Sequence, residues 1–348
     1  MNILAYLWRM TRRYVLSPES FFVVIVLIVI YNTIVNFTPL TLWQKAREKL
    51  RFTTVPSFRK QDSNDQKQNL YWPSDPSKSS WEFKSGNVAV YSIQGRRPHM
   101  EDRFKIVNGG NNSRPSIFGI FDGHGGEFTA EYAQQNLHTM ILSSVKNGDE
   151  DIGEVLTKQI LDVDEMIMKE VKHKSDISGS TALVAMVSGT KLTVANVGDS
   201  RGVMCDEQGN TVPLSFDHKP NQTSEHQRIK DAGGFIGFNG VWRVAGILAT
   251  SRALGDYPLK ERKFVIAEPD ILTFDLSEIR PKFLILATDG LWDCFSNEEA
   301  VEYIKERLDE PHFGAKSIIL QAYYKGSLDN ISVIVVKFDE KSFKKKSR

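Results

Sequence analysis

Four apolar runs in the chain end or begin at an acid. Ser116-Ile-Phe-Gly-Ile-Phe closes into Asp122, Leu192-Thr-Val-Ala-Asn-Val into Gly198-Asp199, and Phe283-Leu-Ile-Leu-Ala-Thr into Asp289, while Asp329-Asn330 opens Ile331-Ser-Val-Ile-Val-Val. Short apolar runs bounded by turn residues predict buried strands, here with an acid at each tip. Between them the period changes. Apolar residues at helical spacing predict helices over 126–145 and 152–171, then Thr181-Ala-Leu-Val-Ala-Met-Val, Leu192 to Val197 and Gly202-Val-Met-Cys predict antiparallel strands joined by tight turns. A short helix is expected over 221–231, stopped by Gly233-Gly234, with two more over 297–308 and 313–325. Strands with helices grouped at both ends, rather than alternating βαβ units, predict an α+β sandwich.

The N-terminal pattern is different in kind. Ser20 to Gln44 contains no charged residue and Phe21 to Ile30 is continuously apolar, which predicts a transmembrane helix over 20–43 behind a short segment 1–19. A buried globular helix would need a neighbouring domain to cover it. A cleaved signal peptide would need a small-residue site, and Tyr31-Asn-Thr-Ile-Val-Asn-Phe-Thr-Pro39 is a poor one. Residues 44–80 turn polar, with three prolines and no sustained period, and read as a flexible tether to a domain over 81–339. Residues 340–348 form a basic tail whose last residues, Lys345-Lys-Ser-Arg348, read either as a dilysine retrieval signal or as a solvated terminus.

Composition narrows the function. A chain of 348 residues, 41% hydrophobic, can bury one large core, and a net charge of +1 with no basic stretch interleaved with aromatics excludes nucleic acid as the expected partner. Cys205 and Cys294 are too few for a disulfide framework, so a reducing compartment is expected. Arg9, Arg12 and Arg13 precede the apolar segment while Lys45, Arg47, Lys49 and Arg51 follow it, a slight bias toward a cytosolic domain. The sequon Asn330-Ile-Ser332 points the same way, since a glycan there would fall on the acid cluster. The short apolar core suits a thin membrane such as the endoplasmic reticulum.

Five acidic clusters, Glu101-Asp102, Asp122-Gly-His-Gly-Gly126, Gly198-Asp199, Asp289-Gly290 and Asp329-Asn330, carry the candidate chemistry. Gathered without Lys or Arg among them, such carboxylates would repel one another and shift upward in pKa unless a cation neutralises them. Oxygen donors without clustered His or Cys select Mg2+ or Mn2+ over zinc. Taken singly, each Asp-Gly is equally well a turn.

Gln94-Gly-Arg-Arg-Pro-His-Met-Glu-Asp102, Phe121-Asp-Gly-His-Gly-Gly126, Gly179-Ser-Thr-Ala182, Asn196-Val-Gly-Asp-Ser-Arg201, Asp217-His-Lys-Pro220, Ser251-Arg-Ala-Leu-Gly-Asp256, Thr288-Asp-Gly-Leu-Trp-Asp293 and Asp329-Asn330 together resemble, in order, the motifs of PP2C-type metal-dependent protein Ser/Thr phosphatases. The resemblance runs from Trp81 to Phe338. Trp81-Glu-Phe-Lys, Tyr91-Ser-Ile-Gln-Gly-Arg-Arg and Asn297-Glu-Glu-Ala-Val, with the apolar N-terminus, are similar to the membrane-anchored protein phosphatase 1-like subgroup. It implies a PP2C-like sandwich of two antiparallel β-sheets flanked by α-helices (α/β/β/α). It also implies hydrolysis of phosphoserine or phosphothreonine by a metal-activated water at a binuclear Mg2+ or Mn2+ site, with a weaker third ion.

By motif position, Asp122 would bridge the ions, with the Gly123 carbonyl on one and Asp289 and Asp329 on the other. Glu101 and Asp102 would hold metal-bound waters or a ligand edge, and Asp199 would share the third ion. Arg97 is the phosphate anchor, because a guanidinium fork matches a phosphate dianion; the alternative is a surface salt bridge. His124 would protonate the leaving oxygen. Arg96 is expected to be solvated, Asp256 and Asp293 structural, and His99, His218, His226 and His312 solvent-facing. Residues 217–244 read as a surface excursion beside the site. The expected whole is a monomeric, single-pass enzyme of the endoplasmic reticulum membrane acting on phosphoproteins of stress-kinase signalling at the cytosolic face. The alternative is a pseudophosphatase scaffold that binds phosphoproteins. A nuclease would want a basic surface, and a calcium module would want its acids within one loop.

Overall fold

A computed structural model describes residues 69–71, 80–109, 115–145 and 150–339. The expected span over 20–43, nearly all of the tether and the tail over 340–348 lie outside the described residues, and among the described residues no helix is long and apolar enough to cross a membrane. Within the stretch read as tether, Asn69–Tyr71 (β1) pairs antiparallel with the edge strand Ser80–Ser85 (β2).

The remaining strands are Val88–Ile93 (β3), Arg103–Val107 (β4), Ser116–Phe121 (β5), Gly123–His124 (β6), Gly179–Ser180 (β7), Ala182–Ser188 (β8), Lys191–Val197 (β9), Arg201–Cys205 (β10), Thr211–Pro213 (β11), Ile236–Asn239 (β12), Val241–Val244 (β13), Leu254–Gly255 (β14), Asp270–Asp275 (β15), Phe283–Ala287 (β16) and Ile331–Lys337 (β17). They form a seven-stranded sheet, β1-β2-β3-β17-β16-β10-β11, and a five-stranded sheet, β15-β9-β8-β5-β4, both antiparallel. Leu284, Leu286, Val90, Ile334 and Met204 from the first meet Phe104, Ile106, Phe118, Ile120, Leu183 and Val194 from the second in one buried layer.

Both outer faces are covered too. The helices Phe128–Ser144 (α1) and Ile152–Lys174 (α2) lie over the five-stranded sheet, where Leu137, Ile141, Leu156, Ile160 and Ile167 meet Ile117, Phe121, Val184 and Met186. After the short helices Thr223–Asp231 (α3), Tyr257–Glu261 (α4), Leu276–Ile279 (α5) and Asp289–Trp292 (α6), the helices Asn297–Lys305 (α7) and Ala315–Lys325 (α8) cover the seven-stranded sheet, packing Val301, Ile304, Ile318 and Ala322 on Ile285, Val333 and Val335. Successive strand residues face opposite sides, so a run such as Phe283-Leu-Ile-Leu-Ala must be apolar throughout when both faces are buried. The four layers are the expected α/β/β/α sandwich.

Local chemistry sets the element ends. Asp151 caps α2 by accepting from the Gly153 N–H at 2.8 Å, and Ser296 with Glu299 forms a capping box on α7. Three elements depart from the sequence pattern. Asp289 is the first residue of α6 rather than the tip of a strand. Helix α8 starts at Ala315, because Phe313 (φ 52) and Gly314 (φ 82) are left-handed. The successive strands β9 and β10 belong to different sheets, so Gly198-Asp199-Ser200 crosses the gap between them. Two minor sheets complete the fold: β14-β7-β6, and the hairpin β12–β13, which with α3 builds the excursion over its own small core of Ile229, Val244, Ala253, Phe264 and Val265.

Leu286 is fully buried between the sheets. Leu286→Ala should lower stability by about 2–5 kcal/mol, through lost transfer energy and a cavity that two rigid sheets cannot collapse. A shift in the urea midpoint smaller than a conservative surface change would show that the layer is not the core.

Candidate active site

Each acid motif occupies a strand end or a sheet-to-sheet connection. Glu101 and Asp102 lead into β4, Asp122 joins β5 to β6, Asp199 joins β9 to β10, Asp289 opens α6 after β16, and Asp329 precedes β17. Folding brings them into one another's fields. Asp122 feels Asp289, Asp102, Asp329 and Asp199, and Asp289 feels Asp199 and Asp329.

Neutral polar groups hold these segments in place. The Asn330 amide donates to the carbonyls of Gln94 (2.7 Å) and His99 (2.9 Å) and accepts from the Glu101 N–H (2.8 Å), clamping the 94–101 loop to the start of β17. Thr181 accepts from the Asp122 N–H at 3.0 Å, donates its own N–H to the Asp122 carbonyl at 2.9 Å, and bonds Ser200 through its hydroxyl at 2.7 Å. A Cβ on Gly123 would stand 2.4 Å from the Glu101 carbonyl oxygen, so only glycine lets the Asp122 turn lie against the Glu101 backbone.

Burial drives the electrostatics. It lifts the Asp122 and Asp289 carboxyls well above the usual range, and repulsion from neighbouring carboxylates adds to it. Asp102, 1% exposed, is raised to about 7, again chiefly by burial. Its Oδ2 accepts from Ser332 (2.7 Å) and Thr288 (3.0 Å), while its Oδ1 is buried with no partner among the described residues.

The cluster is not free of cations, as the sequence pattern had implied. Lys219 is bonded to Asp199, and Arg97 reaches Asp329 at 2.6 Å. Arg97 is 52% exposed and forms this salt bridge at the acid cluster. Among the described residues neither Lys nor Arg forms an ion pair with Asp122 or Asp289. Arg96 is exposed, as expected, and is also held in place: it stacks over Tyr323 at 4.2 Å and donates to the Ser327 carbonyl.

The donors suit hard divalent ions. All are oxygens, an unpaired carboxylate oxygen is buried among the described residues, and two carboxyls have no ion pair there and are lifted well above the usual range. Among the described residues no three His, Cys, Asp or Glu side chains are gathered tightly enough to hold one ion by themselves.

Two histidines are tied to this framework. His124 faces Asp256, Nε2 to Oδ2 at 2.8 Å; burial opposes charge on its ring, but Asp256 together with Asp199 and Glu101 outweighs burial and raises its pKa. Asp256, expected to be structural, is the partner of this ring. His218 is buried, not solvent-facing: its Nδ1 accepts from the Gly198 N–H at 3.0 Å and its Nε2 faces Asp270, which steadies the Asp199 turn. His312 is half-buried and meets Tyr91 edge-on, whereas His99 and His226 are exposed. Asn330, Thr181, Lys219 and Asp256 all lie inside motifs visible in the sequence, but their partners are remote in the chain.

A family model described as Protein phosphatase 2C matches residues 86–331. The chain is 49% identical over 351 residues to Protein phosphatase 1L of Bos taurus, covering 98% of this chain and 97% of that protein. It is 44% identical over 248 residues to Probable protein phosphatase 2C 59 of Arabidopsis thaliana, covering 71% and 78%. Among solved structures, serine-threonine phosphatase 2C from Toxoplasma gondii superposes with a TM-score of 0.66 at 25% identity, over 78% of this chain and 98% of that one.

Because Asp102 titrates near 7 when folded and near the ordinary carboxyl value when unfolded, the folded state holds the extra proton between those pH values. Stability therefore falls as pH rises through that window. In chelator, the wild type should lose more thermal stability from pH 5 to pH 8 than Asp102→Asn, by an amount on the order of a few kcal/mol. Parallel curves would show that Asp102 is not held as a buried acid.

Proposed function

The chain belongs to the protein phosphatase 2C family, is a protein serine/threonine phosphatase similar to protein phosphatase 1L, and we propose that it hydrolyses phosphoserine and phosphothreonine at its acid cluster with two divalent ions, Mg2+ or Mn2+. The observation that supports this most is the pair Asp122 and Asp289, brought together from different sheets, half-buried and without an ion pair among the described residues. Asp122, the Gly123 carbonyl, Asp289 and Asp329 would hold the ions, Glu101 and Asp102 would act through bound water, and Asp199 would serve a weaker third ion. When bound, the ions supply Lewis acidity and an activated water.

The chain's own residues do the rest. Arg97 keeps one guanidinium nitrogen on Asp329, which orients the fork and leaves its other N–H groups for the phosphate oxygens. His124 gives a proton to the departing serine or threonine oxygen. Asn330 and Thr181 keep the ligand loops in register, so the geometry exists before substrate arrives.

The apolar 20–43 segment supports a single-pass anchor, with the catalytic domain at the cytosolic face of a membrane such as the endoplasmic reticulum. Tethering would restrict the enzyme to phosphoproteins near that surface, of which stress-kinase signalling components are one class.

With the full-length chain, phosphate release from a phosphothreonine peptide should require Mn2+ or Mg2+ and vanish in chelator. Asp289→Asn should lower it at least about a hundredfold, since a lost ligand removes several kcal/mol of transition-state stabilisation. Arg97→Lys, which keeps charge but loses the fork, should cost roughly tenfold in kcat/KM. Folded wild type that releases no phosphate with either metal would sink the catalytic reading in favour of a phosphoprotein-binding scaffold. Separately, the full chain should stay in membranes washed with alkaline carbonate, and deleting residues 1–44 should release it; retention without them would remove the anchor.

A further inference from the structure

One buried carboxylate has no part in holding ions or phosphate. Asp256 is 6% exposed and precedes α4 in a left-handed conformation, φ 55 and ψ 47, where its side chain makes no cap bond. A non-glycine residue held there costs on the order of 1 kcal/mol or more, and such strain persists only where the surroundings enforce it. They do so here. The Asp256 N–H donates to the Ser178 carbonyl at 3.0 Å, the Leu259 and Lys260 N–H groups donate to its carbonyl, and the preceding Gly255 N–H donates to the buried Asp164 at 2.8 Å. The strained backbone aims the carboxylate at His124 Nε2, 2.8 Å away.

The two partners are fixed to each other through one small sheet. In β14-β7-β6, Gly179 pairs with His124 on one side and with Gly255, the neighbour of Asp256, on the other. A Cβ on Gly179 would fall 2.2 Å from Asp256 Oδ2 and 2.3 Å from His124 Nε2, so the pair lies directly over that α carbon. The glycine of Gly179-Ser-Thr-Ala182 is the floor on which the pair rests.

We propose that Asp256 is a positioning residue which, by taking Nε2, locks the His124 ring and makes Nδ1 the atom that delivers the proton to the leaving oxygen. The inference rests on His124 being the general acid. An ionised carboxylate only accepts, so Nε2 must carry a hydrogen toward it, and Nδ1 is the ring nitrogen left for the substrate. As the P–O ester bond breaks, its electron pair goes to the serine or threonine oxygen and the Nδ1 proton follows, giving the free hydroxyl. The attacking water oxygen forms the new P–O bond and its released proton passes to solvent. The ring ends neutral, still donating from Nε2 to Asp256, and regains its Nδ1 proton from solvent, to which the 27% exposed side chain has access.

The test compares substrates whose leaving groups differ in their need for a proton. On the full-length chain with Mn2+, Asp256→Asn should lower kcat on a phosphothreonine peptide by about 10–100-fold with KM little changed. The loss on p-nitrophenyl phosphate, whose phenolate departs without help, should be at least tenfold smaller. His124→Gln should show the same selectivity, and the double variant should be no worse than His124→Gln alone. Gly179→Ala, whose Cβ would push the Asp256 carboxylate and the His124 ring apart while both residues stay in the chain, should reproduce the selective loss and serves should Asp256→Asn fail to fold. Equal losses on both substrates from Asp256→Asn, or additive losses in the double variant, would overturn the proposal. A non-selective loss from His124→Gln would instead overturn the acid role on which it rests, leaving the metal-dependent phosphatase reading intact.

Discussion

The mutual repulsion of Asp122 and Asp289 is the constraint around which the molecule is arranged. Two carboxyls, both lifted well above their usual pKa by burial and by their neighbours, are held together without an ion pair to either among the described residues. Nothing local favours that arrangement. It survives because one acid follows a strand of the five-stranded sheet and the other a strand of the seven-stranded sheet, and those sheets are pressed together by an apolar layer. Burial of that layer is the large favourable term, and the acid cluster is a local debit that a bound cation would relieve.

Much of the motif set therefore works on the loops rather than on the substrate. Asn330 ties the 94–101 loop to β17, Thr181 ties the Asp122 turn to Ser200, and His218 holds the Gly198 amide. Gly123 and Gly179 allow backbones or side chains to approach where any Cβ would collide. Lys219 and Arg97 neutralise Asp199 and Asp329, and among the described residues leave Asp122 and Asp289 without a salt bridge. The cluster thus divides into acids with a cationic partner and acids without one among the described residues.

The fold was legible because its signals are local. Strand period, cap chemistry and turn residues act within a few positions, and the four acid-tipped runs became β5, β9, β16 and β17 with little change. Legibility failed where a neighbour in space is remote in sequence. The pairing of Asp256 with His124 was hidden because the two are 132 positions apart, and His218 looked exposed because nothing adjacent shows that the Gly198 amide points at it. The assumption that the acids would gather without cations failed in the same way, since Lys219 lies 20 residues from Asp199.

What the sequence determined by itself is the layered α/β/β/α sandwich, the positions of the acids at element ends, and the oxygen-only character of the donor set, because period, turn chemistry and residue type are properties of the chain. What only the tertiary structure decided is which acids are neutralised and which are not, which oxygen of Asp102 is left without a partner, and which nitrogen of His124 is taken. Those follow from distances between segments that meet only when the two sheets close on each other, and electrostatic and hydrogen-bond energies depend on such distances and on burial rather than on order along the chain.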